Sequence, residues 1–456
     1  MSSAAPPIVY RAAHGVLDGA WVDAPWLAVD DRGLVIATGH AGTPALSGGR
    51  VGSSPTAAPP ADAVQRDLGP VALLPGMVDA HSHAFQRAIR GATHRRGASD
   101  PSSFWSWREA MYRCADALDP DGLYAITRQA YAEMLAAGIT CVGEFHYLHH
   151  QPGGRPYDDP NELTWQVLRA ASDVGIRVVM LEVLYLRAGH DQPPLPEQRR
   201  FCDADVDAYL RRVDDLRTRG VELGLAPHSV RAVPLPALEQ VARYAHAHGL
   251  PLHTHLSEQP RENAECHAEH GRTPAEVFAD AGACERPRMF TAVHAVHTTA
   301  TDHRRLAGQH VCACPTTEAD LGDGIVPAVE LRAAGIELAL GSDSNAVIDL
   351  VQEARLLEMH ERLRGQARLR LVDDAGVLGF PLLRTATEAG ASSLGRADRS
   401  GRLAVGRPFD ALTLALDVPF FRGVAPRHLL DALLCAGTAA VIRHVFVGGA
   451  ERSHGA

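Results

Sequence analysis

Short apolar runs alternate with helix-like stretches along most of this chain. Eight such runs, each followed by helix-like sequence, span residues 71–83, 139–147, 175–185, 221–229, 250–258, 289–297, 310–318 and 336–344. Strands that alternate with helices predict a parallel sheet. Because eight of these units follow one another, we predict an α/β fold of the (β/α)8 TIM-barrel type with insertions. An open, doubly wound sheet is the alternative that this pattern leaves.

Most of the apolar runs end in polar residues that can take part in chemistry. The ends read HSH, EFHY, APHS, HLSE, HAVH, PTTE and GSDS. In a barrel all these ends lie at one face, where active sites are built, whereas an open sheet would spread them out. The clustering therefore favours a closed barrel with a catalytic site at that face.

Both ends of the chain show strand-and-turn patterns. The N-terminal stretch contains VYRAAHGVLDGAWV and PWLAVDDRGLVIATG, and the C-terminal GRLAVGRPFDALTLALD returns to the same pattern. We predict that the two ends pair into a small β-sandwich domain of residues 1–72 and 400–456, and that residues 73–399 form the barrel. Residues 41–63 are rich in Gly, Ala, Ser and Pro, which predicts an exposed or disordered loop.

Composition and charge indicate a globular protein and exclude several classes of partner. The 456 residues are 46% hydrophobic and 21% charged, with a formal net charge of −10. Because no basic block is present, we expect neither nucleic acid nor a membrane as a partner. No apolar stretch approaches about 18 residues, and the N-terminus lacks a signal-peptide pattern. The eight cysteines do not resemble a disulfide framework, so we expect a cytoplasmic location.

The chain contains no lysine, and all 44 of its basic residues are arginine. A Schiff-base mechanism and a Walker-type phosphate loop both need lysine and are therefore excluded. A metal pair bridged by a carboxylated lysine is excluded for the same reason. Any metal site in this protein is thus expected to hold one ion.

A pair of histidines closes the first predicted barrel strand, in the segment LLPGMVDAHSHAFQR. Residues two apart on a strand point the same way, so His81 and His83 project together from the strand end. Imidazole is a ligand for zinc, iron or copper. Taken alone, the H-x-H pattern also fits a strand end without a metal.

Other strand ends carry further candidate ligands. Strand five carries HTHLSE, strand six carries HAVH and strand eight carries GSDS, which supply His253, His255, Glu258, His294, His297 and Asp343. Three histidines and one carboxylate, with a water molecule, complete a mononuclear divalent metal site. The residues alone leave open which histidine of each pair takes part.

These motifs resemble the amidohydrolase superfamily, in its mononuclear deaminase branch. The resemblance rests on PGMVDAHSHAFQR, the H-x-x-E of HLSE, GSDS and the C-terminal GRLAVGRPFDALTLALD. More specific segments resemble the formimidoylglutamate deiminase family of bacterial histidine degradation, namely HAFQRAIRG, SFWSWREAMYR, EFHYLHH, APHSVRAV and CPTTEADLGDGI. One departure is Asn345, since His commonly occupies this position in that family.

The resemblance implies a metal centre and the groups that act beside it. The implied metal ligands are His81, His83, His255 and Asp343. The implied cofactor is one divalent metal ion, with zinc expected, although iron fits the same ligands. The implied catalytic groups are Glu258 as general acid and base, His294 as the group that orients the attacking hydroxide, and Asp343. His253 and His297 are interpreted as structural residues.

The resemblance also implies a reaction and a pocket. The reaction is the hydrolysis of N-formimino-L-glutamate, a small dicarboxylate with a cationic formimino group, to N-formyl-L-glutamate and ammonia. Arginine matches a carboxylate with two parallel hydrogen bonds, and Arg108 and Arg231 are the implied clamps. Gln86, Tyr147 and His228 are implied as further substrate contacts. A homodimer is expected by analogy alone.

Two other interpretations stay open at this point. A related aminohydrolase for a purine, pyrimidine or triazine would prefer aromatic stacking and amide contacts to two arginines. A catalytically inactive barrel used for binding would have lost metal ligands, whereas this chain keeps all of them. Nearby polar residues are predicted to lie in loops or turns, namely His149, His150, Asp320 and Asp323.

Overall fold

The structure is a computed structural model that describes residues 5–41, 58–94 and 104–452. The loop predicted over residues 41–63 falls largely on residues 42–57, which lie outside the described residues. None of the helices in the described ranges has the length and apolar character that a membrane span needs.

The strands are numbered in chain order and divide between the ends and the middle of the chain. The N-terminal strands are β1 (Ile8–Arg11), β2 (His14–Leu17), β3 (Ala20–Asp23), β4 (Trp26–Val29), β5 (Val35–Gly39), β6 (Val64–Asp67) and β7 (Val71–Pro75). The middle strands are β8 (Met77–Ser82), β9 (Ile139–His146), β10 (Arg177–Leu184), β11 (Leu223–Pro227), β12 (Leu252–Leu256), β13 (Phe290–His294), β14 (His310–Ala313) and β15 (Glu337–Leu340). The C-terminal strands are β16 (Ala411–Ala415), β17 (Ile442–Val447) and β18 (Ala450–Arg452).

The helices lie mainly between the middle strands. The first seven are α1 (Phe104–Ala117), α2 (Pro120–Ala136), α3 (Glu162–Val174), α4 (Val206–Thr218), α5 (Leu235–His248), α6 (Pro260–His270) and α7 (Pro274–Asp280). The others are α8 (Ala300–Arg305), α9 (Pro315–Leu321), α10 (Ala328–Ala333), α11 (Leu350–Gly365), α12 (Gly379–Thr385), α13 (Glu388–Ser393) and α14 (Leu429–Ala436).

The middle strands form a closed parallel barrel. Strands β8 to β15 pair in sequence order, and the first and last of them meet through a parallel bridge between Ser82 and Asp343. The backbone N–H of His83 donates to Asp343 O over 2.9 Å, and the N–H of Asp343 donates to His81 O over 2.9 Å. The prediction of a (β/α)8 barrel is confirmed, and its closure brings the HSH and GSDS motifs into contact.

The apolar run at residues 71–83 forms two strands rather than one. Strand β7 lies in the sheet built from the chain ends, and strand β8 opens the barrel. Gly76 separates them, and a Cβ atom at this position would lie 2.3 Å from Thr140 Oγ1. Any larger residue would therefore collide with β9 where the chain passes from one sheet to the other.

The two chain ends share a sheet. Its order is β18-β17-β16-β7-β2-β3, in which β16 pairs antiparallel and β2 parallel with β7. A second sheet has the order β5-β4-β1-β6. Apolar side chains from both sheets meet in one core, where the rings of Tyr10 and Phe409 stack at 4.6 Å. The predicted domain boundary at residues 72 and 73 falls within β7, and the boundaries themselves stay predictions.

Candidate active site

The carboxyl ends of the barrel strands gather most of the predicted site residues into one buried cluster. His81 lies at the end of β8, His255 lies on β12 and His294 ends β13. Asp343 follows β15 and is also buried. These residues are distant in the chain, so only closure of the barrel brings their side chains together.

Four side chains converge on one point. Nitrogen and oxygen atoms of His81, His83, His255 and Asp343 all lie within 4.8 Å of one another. The three histidine Nε2 atoms are 3.2–3.3 Å apart, and Asp343 Oδ1 lies 3.3 and 3.2 Å from Nε2 of His81 and His83. Four ligand atoms in a tetrahedron at about 2.0 Å from an ion are about 3.3 Å apart. The cluster therefore has the spacing of a tetrahedral zinc-type site.

Backbone hydrogen bonds determine which nitrogen is free in two of these rings. His83 Nδ1 donates to Phe145 O over 2.9 Å, and His255 Nδ1 donates to His228 O over 3.1 Å. A neutral imidazole has one N–H, so Nε2 of each ring is left with its lone pair. Burial lowers the pKa of His255 well below its ordinary value. Lone pairs that face one another repel unless a cation lies between them, so a divalent ion fits this site.

Glu258 and His294 lie beside this cluster. Glu258 Oε1 is 3.7 Å from His294 Nε2, which is itself 3.8 Å from Asp343 Oδ2. Burial raises the pKa of the Glu258 carboxyl above its ordinary value. A carboxylate with a raised pKa can accept a proton and return it within one reaction, which is what a general acid and base must do.

The backbone is unusual where it positions these side chains. Ser257, His294 and Asp343 have φ values of +52°, +71° and +48°, in the left-handed region that non-glycine residues seldom adopt. Each lies at the end of a barrel strand or in the turn that follows it. Such conformations cost about 1–3 kcal/mol each and persist where the surrounding structure enforces them. Here the neighbouring strands enforce them at the point where site side chains leave the barrel.

A cavity of about 50 Å³ adjoins the cluster. Its wall includes all five residues that the resemblance implied for the substrate, namely Gln86, Arg108, Tyr147, His228 and Arg231. The Gln86 amide nitrogen donates to the Tyr147 hydroxyl oxygen over 2.7 Å. Gln86 Oε1 is buried and has no hydrogen-bond partner among the described residues. The pocket thus presents a free acceptor beside the cluster.

The positively charged side chains of two arginines line the same cavity. Within the described ranges, neither Arg108 nor Arg231 forms an ion pair with a carboxylate, although, against the effect of burial, Glu262 and Glu258 help to raise the pKa of Arg231. Arg108 Nη1 and Arg231 Nε are buried without a hydrogen-bond partner there. The Arg108 guanidinium carbon lies 4.5 Å from the centre of the Trp105 ring. Trp105 therefore packs against Arg108, and each arginine keeps one buried donor free for a ligand.

The histidines interpreted as structural lie away from the convergence point. His253 Nε2 contacts Ser393 O at 2.8 Å, and His297 Nε2 contacts Asp323 O at 2.8 Å. His149 lies in the loop after β9, as predicted, and its Nε2 is 2.9 Å from Val183 O. None of these three is in the group of four converging ligand atoms.

Asp320 and Asp323 both lie in the motif CPTTEADLGDGI, but they differ in burial and in their partners. Asp320 pairs with His94 at 2.7 Å, in keeping with an exposed position. Asp323 is only 3% exposed, and it accepts a hydrogen bond from the Gln259 amide. Burial raises its pKa to about 9. Asp323 is therefore a buried neighbour of the site and not merely a turn residue.

Sequence reasoning missed several buried carboxylates that support the site, among them Asp79 and Glu318. Asp79 accepts hydrogen bonds from the backbone N–H of His81 over 3.2 Å and from the Ser342 hydroxyl over 2.6 Å, so it ties β8 to the turn after β15. Glu318 on α9 lies 3.4 Å from His294 Nδ1. The motifs VDAHSH and PTTE contain these residues, but neither motif indicates that the carboxylate is buried.

Asn345 links the same two strand ends. Its amide oxygen lies 2.9 Å from Ser342 Oγ, and its amide nitrogen donates to Ser82 Oγ over 3.1 Å. The departure from the resembled family at this position therefore affects the support of the site and not its converging ligands.

Comparison with known proteins identifies relatives along nearly the whole chain. Residues 72–451 match the amidohydrolase family. Formimidoylglutamate deiminase of Pseudomonas aeruginosa is 41% identical over 397 residues, which cover 85% of this chain and 86% of that protein. 8-Oxoguanine deaminase of the same organism is 33% identical, with coverage of 86% and 84%. The crystal structure of an amidohydrolase from Brucella melitensis has a TM-score of 0.85 at 31% identity, covering 98% of this chain and 94% of that one.

Proposed function

Because this chain belongs to the amidohydrolase family, we propose that it hydrolyses N-formimino-L-glutamate to N-formyl-L-glutamate and ammonia with one divalent metal ion. The observation that carries the proposal is the pair of unpartnered arginines beside the buried cluster of three histidines and one aspartate. The relative that is 41% identical to this chain is named formimidoylglutamate deiminase, after this reaction.

The metal ion would be held by the four converging side chains. Three imidazole nitrogens and one carboxylate oxygen suit zinc, which we propose as the ion. When bound, such an ion lowers the pKa of a water molecule towards neutrality and polarises the group under attack. The hydrogen bonds from His83 and His255 to backbone carbonyls keep both rings turned towards it.

Glu258 moves the protons of the reaction. It takes one proton from the water whose oxygen bonds to the formimino carbon, and it gives that proton to the terminal nitrogen. The carbon–nitrogen bond then breaks, and the proton left on the added oxygen returns to Glu258 and leaves with the ammonia as ammonium. His294, with Nε2 towards Glu258 and Asp343, orients the attacking oxygen by accepting a hydrogen bond from it.

The pocket determines which nitrogen leaves. The guanidinium groups of Arg108 and Arg231 bind the two carboxylates of the substrate, as bidentate donors do. Gln86 Oε1, a free acceptor, binds the formimino N–H. With the glutamate end held in this way, the terminal nitrogen and not the amino-acid nitrogen lies next to Glu258.

The strongest rival is a purine deaminase, because one relative at 33% identity is an 8-oxoguanine deaminase. A purine carries no carboxylates and would leave the buried donors Arg108 Nη1 and Arg231 Nε without an anionic acceptor, which is costly. An inactive binding barrel is disfavoured because the chain retains the four converging side chains and Glu258.

The test is ammonia release by zinc-loaded protein from N-formimino-L-glutamate and, in parallel, from 8-oxoguanine. We expect release from the first substrate only. The Glu258→Gln variant should lose about 10²- to 10⁴-fold in kcat because it cannot transfer the proton. Its metal content should stay at one equivalent, which serves as the control for an intact site.

Two outcomes would contradict this proposal. Release from 8-oxoguanine alone would assign the pocket to purines. The absence of release from either substrate, with a full equivalent of metal bound, would favour a binding role or a different amidine.

A further inference from the structure

The carboxylate of Glu318 lies on the opposite side of the His294 ring from the candidate reacting groups. Glu318 is 1% exposed, and its Oε1 lies 3.4 Å from His294 Nδ1. The other ring nitrogen, Nε2, is 3.7 Å from Glu258 Oε1 and 3.8 Å from Asp343 Oδ2. The imidazole is therefore placed between Glu318 on one side and the site on the other.

Glu318 is itself held in place. The backbone N–H of Cys314 donates to Glu318 Oε1 over 2.8 Å, and the backbone N–H of Glu318 donates to Cys314 O over 2.9 Å. The first bond anchors the side chain, and the second fixes the backbone of Glu318 in the first turn of α9. A carboxylate fixed in this way offers one defined acceptor to the ring of His294.

An imidazole with one acceptor on Nδ1 has its proton and its orientation set by that acceptor. Histidines that act in catalysis are commonly oriented by a carboxylate in this manner, and loss of the carboxylate leaves the wrong tautomer.

We propose that Glu318 is a positioning residue that keeps a proton on Nδ1 of His294 and turns Nε2 towards the reacting atoms. Its effect on turnover rests on the function proposed above. The competing interpretation is a second metal site, because atoms of His294, Cys314 and Glu318 also lie within 4.8 Å of one another.

The first experiment compares zinc-loaded wild type with Glu318→Gln and Glu318→Ala. We expect kcat to fall about 10- to 100-fold in the alanine variant with KM changed less than about threefold. The glutamine variant should retain more activity, because its amide oxygen still accepts from both N–H groups. The metal content should be one equivalent in all three proteins. Two equivalents in wild type and one in the alanine variant would instead establish the second metal site and overturn the proposal.

A matched control contacts the same helix from outside. Glu353 on α11 is a buried carboxylate that accepts a hydrogen bond from the Thr316 backbone N–H of α9 over 2.9 Å. Among the described residues, none of its hydrogen bonds or ion pairs reaches His294. Glu353→Gln should lower the thermal midpoint and leave kcat within about twofold of wild type. An equal loss of kcat in Glu353→Gln and Glu318→Gln would mean that α9 merely supports the fold, and would overturn the proposal.

A double-mutant cycle separates action through His294 from action elsewhere. In a His294→Asn background, Glu318→Ala should lower kcat less than about twofold further. A full additional loss would show that Glu318 acts independently of His294 and would contradict the proposal.

The final measurement needs no substrate, so it is independent of the proposed reaction. Nitrogen-15 NMR of histidine-labelled, zinc-loaded protein reports which ring nitrogen carries a proton, and His294→Asn identifies the signal. We expect Nδ1 of His294 to be protonated in wild type and to lose that state in Glu318→Ala. An unprotonated Nδ1 in wild type would overturn the proposal even if the enzyme turns over N-formimino-L-glutamate.

Discussion

The barrel has a cavity at each of its two ends. The cavity at the carboxyl end measures about 50 Å³. The cavity at the amino end measures about 1130 Å³ and lies where the start of β15 and α12 face the sheet that the two chain ends share. In the larger cavity the arginines have partners. Arg384 pairs with Glu337 at 2.8 Å, and Arg402 pairs with Asp18 at 2.9 Å. In the smaller cavity, Arg108 and Arg231 keep buried donors unpaired among the described residues.

The difference shows that unsatisfied charge locates the candidate site better than volume does. A buried donor without a partner lowers stability, so it is kept where a ligand supplies the partner. The carboxyl end of the barrel also holds the histidine Nε2 atoms, which converge on one point with no proton between them. The amino end is roomy, but its charged side chains have ion-pair partners, even though single atoms such as Arg402 Nε and Glu337 Oε2 also lack a hydrogen bond there among the described residues.

The largest expected effect comes from removing one unpaired arginine. Arg231→Met should lower kcat/KM for N-formimino-L-glutamate by about 10²-fold or more, since a charged, bidentate hydrogen bond is lost. The free energy of unfolding should stay equal or rise, because a buried guanidinium without a partner is removed. Kinetics and urea unfolding measure the two quantities.

Arg384→Met at the amino end is the matched control for that change. It should lower stability and leave kcat/KM within about twofold, because Arg384 is paired with Glu337. Equal kinetic losses in both variants would remove the distinction between the two ends.

A smaller effect is expected from replacing Glu337, whose carboxylate lines the larger cavity. Glu337 lies 2.8 Å from Arg384 and 3.5 Å from Arg288. Glu337→Gln should lower the free energy of unfolding by about 1–2 kcal/mol, since two partly exposed ion pairs are weakened. Turnover should be unchanged. A loss of kcat with unchanged unfolding would show that the amino end takes part in function.

The smallest expected effect is the change with pH in the stability that the Glu337 carboxylate contributes. The imidazole of His310, 3.6 Å away, and the charge of Arg384 outweigh the effect of burial and lower the pKa of Glu337 from 4.5 to about 2. A lowered carboxyl pKa gives stability that is complete above the unfolded pKa and is lost as pH falls towards the folded one. The difference in unfolding free energy between metal-free wild type and Glu337→Gln should therefore shrink from pH 5 to pH 3. A difference that stays constant over this range would contradict the shift.

Much of the candidate site was predictable because it lies at strand ends. His81 and His83 are two apart on a strand, and Glu258 stands three after His255, so local spacing and the family resemblance identified them. Glu318 was not predictable in the same way. It lies on a short helix, and only the packing of α9 against the end of β13 brings its carboxylate to His294.

The run at residues 71–83 shows a second limit of sequence patterns. Its apolar residues predict one buried strand, but Gly76 divides it between two sheets. Both halves are equally apolar because both are buried, so hydrophobicity carries no signal of the division. The close approach of Thr140, which only the fold reveals, is what requires glycine there.

The sequence by itself determined the alternation of strands and helices, the polar strand ends and the absence of lysine. These properties are local, since each depends on residue type and on spacing along a few residues. The tertiary structure alone decided which nitrogens face the centre, which arginines lack partners and which carboxylates are buried. These depend on contacts between residues far apart in the chain, such as the bond between the Asp343 N–H and His81 O. Barrel closure sets such contacts, and no local pattern encodes their distances.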